Sequence, residues 1–174
     1  MAKRVILGMA AAILATVGLS SARAEEVTRL AGRPGEATLL VRHEPGPGPS
    51  VLYVHGATFP SASSIAYRID GRSWMDDLRA RGFDVWAFDF AGYGGSDRPA
   101  ALRAKGEAPP FGRAVDVVGQ VERVAAHLLR TTGRRRLSIV AHSWGTLPAS
   151  LFATRRPDVV ENAGPVRPRG RPAR

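Results

Sequence analysis

The 174-residue chain contains no cysteine. That excludes a disulfide framework, a thiolate metal site and catalysis by a cysteine nucleophile. Histidine is scarce: His43, His55, His127 and His142 are the whole set, and none lies beyond position 142. Between residues 25 and 160 there is no internal repeat and no long low-complexity tract. Acidic charge is short as well, with 15 Asp and Glu against 25 Lys and Arg, for a net charge of +10. Such a balance ordinarily raises nucleic acid as a partner, but the placement of the charge argues against it. Lys3, Arg4 and Arg23 lie at the amino end, and Arg167, Arg169, Arg171 and Arg174 lie in the last eight residues. Setting these seven aside leaves +3 on the body. The body's Arg134-Arg135-Arg136 run falls between a helix and a strand, so no nucleic-acid partner is expected.

The one long apolar run covers residues 5–19, about 15 residues with Gly8 and Gly18 inside it. A membrane-spanning helix needs roughly 20. Lys3 and Arg4 precede the run, and Ala22-Arg23-Ala24 follows as an A-x-A site, which is the pattern of a secretory signal. Cleavage after Ala24 is expected. The product would then be exported, to the periplasm of a bacterium, with no stable membrane anchor.

The whole chain is sized and composed for one soluble globular domain, with 44% apolar and 23% charged residues. Residues 37–42 are a short β-rich run closed by Gly46-Pro-Gly-Pro49. Residues 51–55 are near-continuously apolar, the mark of a strand buried on both faces. Residues 73–81 can form a short helix with Trp74 and Leu78 on one side, ended by Gly82. Residues 83–89 form the next strand, followed by the glycine-rich Gly92-Tyr-Gly-Gly-Ser96, and three prolines mark residues 98–113 as a loop. Residues 114–131 place Val117, Val121, Val124, Ala125 and Leu128 at three- and four-residue spacing, an amphipathic helix. Residues 137–141 are a third buried strand, and 147–155 a helix stopped by Pro157. Strands alternating with helices predict an α/β fold with a mostly parallel sheet. Active sites of such sheets lie at the carboxyl ends of the strands.

Three features fall at three such ends. Ala141-His142-Ser143-Trp144-Gly145 joins a strand directly to a helix. It resembles the nucleophile elbow, G-x-S-x-G, of the α/β-hydrolase family, with Ala141 in place of the first glycine. A sharp turn there lifts a serine hydroxyl above the sheet, and small residues two before and two after let strand and helix pass closely. His55-Gly56-Ala57 resembles the family's His-Gly signature, and Asp89-Phe-Ala-Gly92-Tyr-Gly94-Gly-Ser96 its D-x-x-G-x-G-x-S turn. His55 and Ser143 are 88 residues apart, which suits the family's order of elements. The resemblance covers about residues 37–160. It implies Ser143 as nucleophile of ester, amide or similar acyl hydrolysis through an acyl-enzyme. Backbone amides of Ala57 and Trp144 would form the oxyanion hole, with Ala141, Gly145, His55 and Gly56 as structural support. Thr58 is the lesser alternative to Ala57. His55 and Asp89 are read as structural, His55 bonding a nearby loop and Asp89 accepting from its turn. An aspartate nucleophile, as in relatives that open epoxides, is disfavoured by the serine. No metal or organic cofactor is implied. The expected partner is a small-molecule acyl substrate, and the oligomeric state is open.

The base is missing. In this family the triad order is Ser, then Asp or Glu, then His, yet after Ser143 only Asp158 and Glu161 are acidic and no histidine follows. His142 should point away from the nucleophile's face, and His127 should lie on a different helix face from Val121 and Leu128. Negligible triad catalysis is expected of these residues alone, and a non-catalytic remnant or binding protein is the alternative. The family has about eight strands, of which roughly the first five are expected here, leaving the strand at 137–141 as an open apolar edge. Residues 161–174 read as a basic Arg/Pro-rich tail, disordered or the product of a frameshift after about Glu161. Read one base later, those codons admit an apolar strand.

Overall fold

The computed structural model describes residues 25–99, 102 and 112–165. The expected signal at 1–24, most of the loop at 98–113 and the tail beyond 165 fall outside the described residues. In chain order the elements are β1 (Glu26–Leu30), β2 (Leu39–Glu44), β3 (Ser50–Val54), α1 (Trp74–Ala80) and β4 (Asp84–Phe88). There follow α2 (Ala114–Thr132), β5 (Leu137–Ala141), α3 (Thr146–Arg155) and β6 (Val160–Pro165). The sheet runs β1-β2-β4-β3-β5-β6. β1 and β2 are antiparallel to their neighbours, and β4, β3, β5 and β6 run parallel.

The sheet therefore has six strands rather than five. Neither edge strand advertises itself. β1 is the polar-rich EVTRL, exposed along nearly its whole length. β6 is VENAGP, whose Asn, Gly and Pro disfavour strands in isolation. It forms because β5 offers an unpaired ladder, with Ile139 opposite Ala163 and Ala141 opposite Pro165. The edge of β5 is thus covered, not open, and the strand crosses the boundary expected at 160/161.

Alternation in the central strands divides the core between two faces. Leu52, Val54, Trp86 and Phe88 pack with Val117, Val121, Val124, Ala125 and Leu128 of α2 and Phe152 of α3. Tyr53, Val85 and Ala87 pack with Met75 of α1 and Ile65. Each fully buried Val, Leu, Ile or Phe stabilises by about 1.5–3 kcal/mol before entropy is charged. α2 ends at Gly133, whose φ of +68° makes the left-handed cap. α1 starts with a capping box: Ser73 Oγ accepts from the Asp76 N–H at 3.1 Å, and Asp76 accepts from the Ser73 N–H at 2.7 Å.

Met75 is the buried anchor of α1, while Trp74 is 36% exposed and meets Tyr53 edge-on at 6.0 Å. One side-chain expectation needs correction. His127 packs its ring edge-on against the core residue Trp86 at 5.8 Å, so it turns toward the sheet near Leu128 rather than away from it.

Candidate active site

Because β3 lies between β4 and β5 and runs parallel to both, the three motif-bearing strand ends are adjacent. Ser143 has φ of +51°, in the left-handed region. For a non-glycine residue this costs about 1–2 kcal/mol and persists only where surroundings enforce it. The enforcement is visible. The His142 N–H is held by Val54 O at 3.0 Å, the Gly145 N–H returns to His142 O at 3.0 Å, and Thr146 Oγ1 donates to Ser143 O at 2.7 Å. Residues 143–145 form a tight 3-10 turn that runs into α3.

Close packing explains the small residues. A Cβ on Gly145 would overlap His55 O and lie 2.8 Å from Val54 O. A Cβ on Gly56 would lie 3.1 Å from both Ser143 Cβ and His142 Nδ1. Ala141 is 5% exposed and packs into the main core, so its extra methyl is accommodated there. The exposed His142 sits beside Gly56, rather than simply turned away, but no hydrogen bond joins it to Ser143 Oγ.

His55 is fully buried. The Phe90 N–H can only donate, and it meets His55 Nε2 at 3.0 Å. Nε2 is therefore the acceptor, and Nδ1 carries the proton it donates to Gly56 O at 2.6 Å. Burial lowers the imidazole pKa below the ordinary histidine value. A ring with both nitrogens committed to backbone ties the end of β3 to the turn after β4.

Asp89 organises that turn. Its carboxylate accepts from Ser61 N–H at 2.7 Å, Ser61 Oγ at 2.6 Å and Gly95 N–H at 3.0 Å. Ser96 Oγ donates to Asp89 O at 2.6 Å and accepts from the Leu40 N–H at 2.8 Å. A Cβ on Gly94, at φ +45°, would collide with the Asp89 carboxylate. Ser61 and Gln120 were not legible in the sequence. Gln120 accepts from the Ala91 N–H at 2.8 Å, fixing the loop from α2.

Beside the elbow lies a cavity of about 420 Å³. Ala57 and Trp144 both line it, with Phe90, Tyr93, Leu102 and Val117 among its walls. Trp144 meets Phe90 edge-on at 5.2 Å. The Ala57 N–H makes no hydrogen bond among the described residues.

No described histidine or carboxylate bonds Ser143 Oγ. His43 is at the far end of the sheet, donating through Nε2 to Asp84 at the start of β4, 2.7 Å away. Asp158 pairs with Arg156 at 2.8 Å, and Glu161 lies on β6. Among the described residues no cluster of His, Asp and Glu could hold a metal ion, and no helix is long and apolar enough to cross a membrane.

Comparison with known proteins bears on the fold. An epoxide hydrolase from Vigna radiata superposes with a TM-score of 0.60 at 23% identity, over 84% of this chain and 40% of that one. Potato (Solanum tuberosum) epoxide hydrolase I gives 0.60 at 24%, over 82% and 39%. The thioesterase domain from the curacin biosynthetic pathway gives 0.61 at 23%, over 80% and 43%. The chain thus spans about two fifths of the length of these structures, and at such identities they speak to the fold. No curated protein is similar in sequence. The model of the alpha/beta hydrolase fold family matches residues 49–163, from the turn before β3 into β6. The chain belongs to the α/β-hydrolase fold family.

Proposed function

We propose that Ser143 is the nucleophile of a serine hydrolase that cleaves an ester, amide or similar acyl bond through an acyl-enzyme. The observation that carries this is the positive φ of Ser143 at a strand-to-helix turn, with Ala57 and Trp144 beside it on one cavity. The hydroxyl attacks the acyl carbon, and the amide N–H groups of Ala57 and Trp144 stabilise the oxyanion as it forms. The leaving group departs with a proton, and water then releases the acid. A serine supports this acyl chemistry over epoxide opening, which in relatives uses an aspartate.

Proton transfer is the deficient step. A serine hydroxyl needs a base within about 2.6–3.2 Å, and none of the described histidines provides one. The hydrolase function is therefore that of a protein in which an Asp or Glu and a His complete the site; these residues alone have negligible turnover. The A-x-A site after the leader supports action outside the cytoplasm. The second reading, a non-catalytic protein that keeps the scaffold, is favoured by a Ser143 hydroxyl with no partner among the described residues.

A fluorophosphonate probe with mass-spectrometric mapping separates the two. The hydrolase reading expects slow labelling confined to Ser143 and lost in Ser143→Ala. No labelling of Ser143 after prolonged exposure supports the scaffold reading, and rapid turnover of an ester by the chain overturns the missing base.

A further inference from the structure

We infer that the cavity beside the elbow takes a ligand with an apolar body and a carboxylate, and that Arg98 reads the carboxylate. The inference rests on the reading of Ser143 as an acyl-transfer nucleophile and names the substrate class of that site: an acyl group whose far end carries a negative charge.

The walls supply the apolar part. Phe90, Tyr93, Leu102, Val117 and Trp144 present aromatic and aliphatic surface to the cavity. Arg98 is the one charged residue among the described residues that line it. It is exposed, and no described residue pairs with it or hydrogen-bonds to it.

Arg98 also borders a second cavity lined by three carboxylates, those of Glu36, Asp97 and Asp116. Each already has a cation. Glu36 pairs with Arg123 at 2.6 Å, Asp97 pairs with Arg29, and Asp116 takes a two-point contact from Arg113 at 2.9 and 3.1 Å. These neighbouring acids are spoken for, and Arg98 also lines the apolar cavity that Ala57 and Trp144 line. A guanidinium fork suits a carboxylate's two oxygens, and a cavity of about 420 Å³ holds a ligand of modest size.

The test titrates the full chain with 6-phenylhexanoate and its neutral isostere 6-phenylhexanamide, read by calorimetry. Wild type should bind the carboxylate about tenfold more tightly at low salt, because the contact is charge-assisted, and the advantage should shrink as salt rises. Arg98→Gln should bring the two affinities within about twofold, with circular dichroism confirming an intact fold. Arg135→Gln, which removes the same charge from an exposed site elsewhere, should keep the preference. Equal affinities in wild type, a preference that survives Arg98→Gln, or failure of either ligand to bind overturns the inference. Ser143 labelling without carboxylate preference sinks the role of Arg98 alone. Preference without Ser143 labelling leaves the binding pocket and sinks the nucleophile.

Discussion

Gly145 of the elbow is pressed against the backbone carbonyl of His55 on the neighbouring strand end. A Cβ at 145 would overlap that oxygen and approach Val54 O to 2.8 Å. The elbow and the loop carrying Ala57 are therefore held in one register, and the placement of the serine depends on a residue with no side chain.

The contact makes Gly145→Ala a sharp test of packing against propensity. Gly145 has φ of −58°, where alanine is at ease and would gain helix propensity. Overpacking against immovable backbone should win, costing about 1–3 kcal/mol in a urea or thermal melt. A neutral or stabilising result would mean the strand ends do not touch as described. Gly56→Ala, with its nearest contacts at 3.1 Å, should be the milder of the two.

His55 sets a pH dependence. Burial depresses its folded pKa, so between that value and the unfolded value of about 6.5 the unfolded chain binds more protons. Stability contributed by neutral His55 is full above the unfolded pKa and is lost as pH falls through the folded pKa. Melts between pH 7.5 and 5 should show falling stability. His55→Gln should be less stable at pH 7.5 but decline less steeply. An equal slope in both proteins would remove His55 as the cause.

Glu44, buried at the end of β2, has the opposite sign. One carboxylate oxygen, Oε2, has no hydrogen-bond partner among the described residues, and the other is 3.9 Å from Arg68. Burial, then the nearby charges of Asp76 and Glu25, raise its pKa. A raised folded pKa gives stability that is full below the unfolded value of about 4.3 and is lost as pH rises through the folded one. Glu44→Gln should therefore raise the melting temperature by a few degrees at pH 7.5 and leave it unchanged near pH 4. A lower melting temperature at pH 7.5 would show that Glu44 is held by a partner.

The parts of this molecule that were legible in sequence are those where one local constraint dominates. β3, β4 and β5 are apolar runs because both their faces are covered, and α2 shows its core stripe at helical spacing. The elbow and the His-Gly turn could be read because close packing restricts Gly56 and Gly145 to the smallest residue. β1 and β6 could not be read, since an edge strand borrows its ladder from a partner and needs no apolar alternation of its own. The same holds for Ser61 and Gln120, which meet Asp89 and Ala91 only after folding, 28 and 29 residues away in sequence. His127 was misplaced because its stripe position is ambiguous until Trp86 arrives beside it.

The central claim is that Ser143 is a positioned nucleophile with no base beside it among the described residues. Imidazole added to solution can serve as that base, since general-base assistance is worth about 10²–10⁴-fold when positioned and a diffusing base recovers part of it. The measurement is the rate of fluorophosphonate labelling at Ser143 as imidazole is raised at constant pH and ionic strength. The account predicts slow labelling that rises about tenfold or more with imidazole, and none in Ser143→Ala. Fast labelling indifferent to imidazole, or an adduct that forms elsewhere while Ser143 stays unmodified, would contradict it.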